Sequence, residues 1–600
     1  MDQTDLKEQQ ATGAENVRWD LSHLYGGPED PRLQADLDGV LEEARAFHGA
    51  YSGRVQELDG PELRLAMEKY EGILERLGRG ETFAYLWFVT DTADAARGKL
   101  MQAIREREAA VRSELLFFDL DWNQVPDERA NVLLESPDLA HWRHHLQASR
   151  RYRPHLLSEP EERILTEKSV TGASAWVRLF DEAMNDIPFA LDGQRLTEDE
   201  LLSRLYLADR SVRRNAAAAV TEGLRGNLRM LTFIFNMLGS DKAVDDRLRR
   251  YPHWLSERNL ANEIHEDMVR SLVQAVMGRY DLPQRYYRLK RRLLKLETLF
   301  DYDRYAPLGE GDRRVGWDAC RETVLRSFDS FSPSMAQIAE RFFREQWIHA
   351  AVQQGKRGGA FSHPAIPSVH PYVMVNYNGR VRDVMTVAHE LGHGVHQSLA
   401  AAQGYINSGT PLTVAETASV FGEMLAFEQL MAQDLEPRER LALLCGKIED
   451  ILATTFRQIA MNRFEEAYHT RRREAGELSS DELSRLWMES QRAMFGDSVE
   501  LTEDYAVWWS YIPHFLHTPG YVYAYAFGEL LVLALISRYR EAGRDFVPGY
   551  LEMLSLGGSQ RPEEVVSRAG LNLHDAGFWE RGLGVLEAMI AQAEEWAIAL

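Results

Sequence analysis

Cysteine is nearly missing from this chain, with two in 600 residues, Cys320 and Cys445. Two thiols cannot staple a chain this large, and neither stands in a CxxC spacing. A disulfide framework and a thiolate metal knot are therefore excluded, and a reducing cytoplasm is the expected address. Long apolar runs are missing too. The longest, Leu530 to Ile536, falls far short of the roughly 20 residues a membrane-spanning helix needs and reads as a buried helix segment. The opening MDQTDLKEQQ has neither the basic start nor the apolar run of a secretory signal. Positive charge is scarce: 69 Lys and Arg stand against 92 Asp and Glu, for a net charge of -23. Such a field repels nucleic acid and anionic membranes, so neither is expected as a partner. Repeats, low-complexity tracts and proline-rich linkers are absent.

What is present is mainly helical. Six hundred residues exceed what one hydrophobic core organises, so two lobes are expected. Residues 1–18 read as a disordered tail ahead of the first anchors, Trp19-Asp20-Leu21-Ser22. A helical amino-terminal lobe is expected over 19–197 and a catalytic region over 198–600. Leu33 to Phe47 and Leu63 to Leu77 show the pattern, with apolar residues at three-and-four spacing between Gly or Pro boundaries. The period shifts toward two around Ile187 to Leu196, where Asp192-Gly193 predicts a hairpin turn. The basic run Arg288, Lys290, Arg291, Arg292 and Lys295 is expected to be a solvated helix face. Gly355-Lys356-Arg357-Gly358-Gly359 is no phosphate loop, because no Ser or Thr follows a Gly-Lys pair. His370 to Gly379 reads as a strand ending in an Asn-Gly turn, and Pro371 suits a sheet edge. An edge strand there would be a template for an extended peptide, with Tyr372 as a candidate substrate contact.

The stretch that follows, Val387-Ala388-His389-Glu390-Leu391-Gly392-His393, is an HExxH pattern. On a helix the two histidines stand about 40° and about 6 Å apart, so both imidazoles can address one ion. Glu390 lies about 100° round, beside the ion, where its carboxylate can take a proton from water. A lone HExxH turns up by chance in roughly a few per cent of chains of this composition. Gly392 and Gly394 raise its weight, since each costs a helix about 1 kcal/mol relative to Ala, a cost that makes sense if another backbone approaches closely.

A catalytic zinc takes three protein ligands. The HExxHxxGxxH solution is closed, because the positions three and six beyond His393 are His396 and Leu399. His396 lies about 10 Å along the axis from His389, too far to share its ion, and is assigned to supporting contacts or the core. Glu416 offers the other solution. Thr413-x-x-Glu416 is also a capping box, but the small residues Ala415, Ala418, Ser419 and Gly422 can pack on Gly392 and Gly394, which favours the ligand. Glu423 would then steady a ligand histidine through its other ring nitrogen. Late in the chain, His514, Tyr521 and Tyr525 read either as an aromatic core stripe or as neutral donors for the charge that develops in peptide hydrolysis.

At these residues the chain resembles oligoendopeptidase F, in the thimet oligopeptidase and neurolysin family of zinc metallopeptidases. The HExxH is followed, after 22 intervening residues, by a Glu opening an ExxS helix, Glu416 to Ser419. Trp19-Asp20-Leu21, Tyr302 to Leu308, Asn376-Tyr377, Pro513-His514-Phe515 and Tyr521-Val522-Tyr523 extend the likeness over almost the whole chain. Gly394 stands where the family often has Ser, and Ala524 to Gly528 departs from its usual wording. The resemblance implies an almost wholly helical fold, two lobes around a deep substrate channel with a small β element beside the zinc helix. It implies one zinc ion on His389, His393 and Glu416, Glu390 as base, His514 and Tyr521 as transition-state donors and Tyr525 in the cleft. The activity implied is endopeptidase action on short oligopeptides. A dipeptidyl carboxypeptidase and a non-catalytic peptide-binding scaffold are the alternatives.

Overall fold

Aspartates placed just ahead of prolines start the first long helices. Asp30 caps Pro31–Tyr51, its carboxylate accepting the Arg32 N–H at 2.9 Å. Asp59 and Glu62 cap one another's backbone at the start of Gly60–Val89. In the computed structural model, which describes residues 11–309 and 313–600, these helices pack with Ala95–Gln124 around Val40, Phe47, Met67, Val111 and Trp122. The chain forms two compact units, each drawn from three stretches. The first holds Met1–Arg153, Asp312–Gln433 and Arg538–Leu573; the second holds Pro154–Gly311, Asp434–Ser537 and His574–Leu600. Among the described residues, strands are confined to one two-stranded and one three-stranded sheet, so the mainly α class holds.

In the first unit, residues 11–18 are not the disordered stretch expected of them. Ala14 is buried, and the Val17 carbonyl accepts the N–H groups of Ala350 and Ala351 at 3.0 and 3.2 Å. Residues 1–10, the rest of the expected tail, lie outside the described residues. The three-stranded sheet comprises β3 (Ile348–His349), β4 (Phe361–His363) and β5 (Tyr372–Met374), in the order β3-β5-β4. The strand expected at the edge, β5, is thus the middle one, parallel to β3 and antiparallel to β4. Its partners are so short that no period announces them. Beyond β5 the chain turns at Asn378-Gly379, with Gly379 at φ 77°, and enters the helix Val381–Ala400. Asp383 starts that helix by accepting the N–H groups of Asn378 and Arg380 at 2.8 and 3.0 Å.

In the second unit the expected hairpin forms from Phe189–Leu191 (β1) and Gln194–Leu196 (β2). Asp192 and Gly193 both have positive φ, 53° and 77°, as a two-residue turn of this hand requires. The 39-residue helix Arg210–Leu248 packs with Gln458–Ala475 and Ser480–Phe495 around Phe235, Phe464, Tyr468, Trp487 and Trp509. The basic run sits on Asp281–Leu293, with Lys295 just beyond its end, and is not wholly solvated. Lys290 has no exposed surface and pairs with Glu449 at 2.6 Å. Leu530 to Ile536 is buried as expected, and among the described residues no helix is long and apolar enough to cross a membrane.

Candidate active site

Glycine decides how the HExxH helix meets its neighbour. A Cβ added at Gly392 would lie 2.2 Å from the Ala418 carbonyl oxygen, so the backbone ahead of Ser419–Met431 touches the helix where only hydrogen fits. Gly422 makes the reciprocal approach to the Ala388 carbonyl. Gly394 serves differently: its open side receives the Phe342 ring. The close crossing brings Glu416 over the histidines. It sits at the end of the short turn Leu412–Ala415, with its backbone carbonyl accepting the Val420 N–H at 3.2 Å. Thr413 is fully buried inside that turn rather than capping a helix, so the capping-box alternative does not form. Ser419 supplies the link instead, its hydroxyl donating to the Glu416 carboxylate at 2.6 Å.

The three candidate ligands converge. Glu416 Oε2 lies 3.3 Å from His389 Nε2 and 3.3 Å from His393 Nε2, and one donor atom from each residue falls within 4.8 Å of the others. Ligand atoms about 2.1 Å from a tetrahedral zinc stand roughly 3.4 Å apart, so the set fits such an ion. The His389 Nδ1 faces Glu423 Oε2 at 3.1 Å, which fixes the ring and leaves Nε2 for coordination. Burial disfavours the His389 imidazolium, but hydrogen bonds to Glu416 and Glu423 outweigh it and push its pKa up to about 10. Burial likewise disfavours the Glu416 carboxylate, and the two imidazoles overcome it to hold that carboxyl well below its ordinary value. Glu390 is 7% exposed, and burial raises its pKa against the pull of His389 and His393.

These side chains line a cavity of about 370 Å³. Its other walls are residues that the sequence did not announce: Phe361 and Ser362 on β4, Gln397, and Ser408 with Thr410. Gln397 is one turn beyond His393, a spacing that was there to be read. It holds β4 by accepting the Ser362 hydroxyl at 2.7 Å and donating to the Ser362 carbonyl at 3.4 Å. His396 also reaches the wall, where burial lowers its pKa to about 4 and its ring bonds the Ala415 backbone. Tyr372 does not. It is completely buried, with its hydroxyl on the Asp20 carbonyl at 3.2 Å and its ring against Trp19, so the structure gives it packing and no substrate face. In the second unit, His514, Tyr521 and Tyr525 do come together: His514 Nε2 lies 3.2 Å from the Tyr525 hydroxyl, and the His514 and Tyr521 rings stack 6.1 Å apart. Burial, then the charge of Arg457, lowers the His514 pKa.

A profile described as "Peptidase family M3" matches residues 327–585, and one described as "Oligopeptidase F" matches 121–189. Together they cover more than half of the chain. The chain belongs to peptidase family M3. Several relatives match it nearly end to end. Oligopeptidase PepF of Bacillus subtilis is 28% identical over 96% of this chain and 87% of its own, and an oligoendopeptidase F homolog of Borreliella burgdorferi is 24% identical over 97% and 98%. A crystal structure from Chlamydophila abortus superposes with a TM-score of 0.87 at 22% identity, covering 98% of this chain and all of that one. Oligoendopeptidase-F from Enterococcus faecium does so at 0.71 and 21%, covering 94% and 98%. As an M3 protein the chain is a peptidase of a metallopeptidase family, and His389, His393 and Glu416 are its one such ligand cluster among the described residues.

Proposed function

We propose that this M3 peptidase is a zinc-dependent endopeptidase that hydrolyses internal bonds of short oligopeptides. The carrying observation is that two imidazoles, one carboxylate and a separate buried carboxyl, Glu390, line a single cavity. His389, His393 and Glu416 would hold the ion, which supplies Lewis acidity toward a carbonyl and lowers the pKa of water. Glu390 takes the proton from the attacking water, a task its raised pKa suits, since a base that gathers a proton must also release it. The C–N bond breaks as Glu390 returns that proton to the amide nitrogen, giving a free amine and a free carboxylate. His514 and Tyr521, by the family likeness, donate hydrogen bonds to the oxyanion that forms on the carbonyl carbon, and Tyr525 orients His514. The edge strand β4 stands where an extended peptide would pair. Phe361 and Ser362 carry it into the cavity wall, so that role passes to β4 from β5. Two buried, unpaired cysteines support a reducing, cytoplasmic setting.

The test is a peptide library with both ends blocked, incubated with and without a chelator and read by mass spectrometry. Internal cuts that vanish with chelator and return with zinc are expected. A blocked library left uncut, with dipeptides released only from a parallel library whose carboxyl ends are free, would replace the endopeptidase reading with an exopeptidase one.

A further inference from the structure

Away from the metal cluster, the second unit encloses a group of cations that peptide hydrolysis does not use. Arg304, in the stretch Tyr302 to Leu308, is 4% exposed. Its guanidinium is surrounded by the rings of Tyr305, Phe495 and Tyr505, with centroids 5.2, 5.2 and 5.0 Å away. Its one hydrogen bond among the described residues runs from Nε to the Asp301 backbone carbonyl, at 2.9 Å. Arg457 enters from the single π-helical turn, Ala453–Arg457, that joins Pro437–Leu452 to Gln458–Ala475. One of its nitrogens donates to the Tyr305 hydroxyl at 2.9 Å, while Nε is buried with no partner. Neither guanidinium has an ion pair among the described residues.

The neighbouring acids are already engaged. Glu449 is held by the Lys290 ammonium at 2.6 Å and by the Tyr286 hydroxyl. The Asp301 carboxylate takes the Thr502 N–H at 2.9 Å. Three cations thus face two committed carboxylates, and the excess lies on the arginines. Tyr305 registers that field: burial opposes ionisation of its hydroxyl, yet Arg457, Arg304 and Lys290 bring its pKa below the ordinary value. Both arginines line a cavity of about 30 Å³, walled also by Tyr287, Tyr305, Phe456 and Glu449, the carboxylate that Lys290 holds. It has room for one or two waters or a single halide and none for a peptide terminus. Buried like charges with open donors call for a counterion, and a π-helical turn is a recurrent way to aim a side chain at a ligand.

We propose that this cavity is a binding site for one small monovalent anion of the chloride class, held by the guanidinium groups of Arg304 and Arg457. The proposal stands apart from the metal chemistry, so it survives or fails independently of it. Full-length protein in sodium gluconate is titrated with sodium chloride at constant ionic strength and followed by thermal melting. A saturable rise in Tm is expected with chloride and with bromide. Arg304→Gln and Arg457→Gln should each remove the saturable component. Crystals soaked in bromide should show an anomalous peak in the cavity that the two arginines line. Identical melting in chloride and gluconate, bromide confined to the surface, or a chloride response retained in both variants overturns the proposal. A chloride response absent from wild type but gained in Tyr305→Phe would assign the counterion to the tyrosinate and equally overturn it. If the arginine variants do not fold, the wild-type titration and the bromide diffraction decide the matter.

Discussion

Replacing Gly392 with alanine sets two physical effects against each other. Alanine is the better helix former by about 1 kcal/mol, so propensity alone makes Gly392→Ala stabilising. Packing says otherwise. The new methyl would stand 2.2 Å from the Ala418 carbonyl oxygen and 2.7 Å from Ser419 Cα, both backbone atoms that cannot swing aside. Carbon and oxygen settle no closer than about 3.3 Å, so the two segments must part by roughly 1 Å. Overpacking of this kind costs about 1–3 kcal/mol. The displacement also carries Glu416 from the histidines, and metal sites tolerate only about 0.2 Å in ligand distance. Net destabilisation of roughly 1–2 kcal/mol is expected in urea unfolding, with zinc retention against a competing chelator reduced at least about tenfold. Gly446→Ala is the control, because it lies within Pro437–Leu452 and nothing stands within 4 Å of its added Cβ. It should stabilise by up to about 1 kcal/mol. A Gly392→Ala protein as stable as wild type and equally full of zinc would refute the close-approach argument.

Other predictions follow from single side chains. Glu390→Gln should keep its zinc and lose about 10²–10⁴-fold in kcat; peptide cleavage at the wild-type rate would remove Glu390 as the base. Glu423→Gln should weaken zinc binding by about 10–100-fold in a competition assay, since His389 loses the carboxylate that orients it. Tyr521→Phe should lower kcat with KM little changed, and an effect on KM alone would assign Tyr521 to substrate binding. Glu465 is fully buried, with one carboxyl oxygen taking the Gly520 N–H at 2.9 Å and the other without a partner, and burial pushes its pKa from 4.5 to about 8. Because the folded value exceeds the unfolded one, the folded state holds the proton between them. Its contribution is then complete below pH about 4 and declines as pH rises to 8, by at most about 1.4 kcal/mol per unit. Glu465→Gln should flatten that limb in unfolding measured from pH 5 to 9, and an unchanged slope would count against it.

What could be read directly from the chain was local. His389, Glu390 and His393 lie within one helical turn, so their spacing carries their geometry. Asp192-Gly193 likewise makes its hairpin from adjacent residues. Glu416 needed one long-range step, and the small residues flanking it supplied the clue, because only small residues let two backbones touch. Where many distant segments decide, composition misled. Lys290 looked like one more solvated charge, yet Glu449, far along the chain, draws it fully inside. Tyr372 looked free to meet a peptide because nothing local shows that β3 and β4 will flank it on both sides. Ser362 and Phe361 carried no mark at all, since a three-residue strand offers no period to detect.

The threading of each unit through three separated stretches has a consequence for biosynthesis. The first unit is unfinished until Arg538–Leu573 has been translated, and the second until His574–Leu600. The Thr417 carbonyl, beside Glu416, accepts from the Tyr550 hydroxyl at 3.1 Å, so even the Glu416 segment gains part of its support from that late stretch. At about 5–20 residues per second the ribosome takes roughly half a minute to two minutes over such a chain. For most of that time apolar helix faces await their partners, which makes the nascent polypeptide a natural client for chaperones.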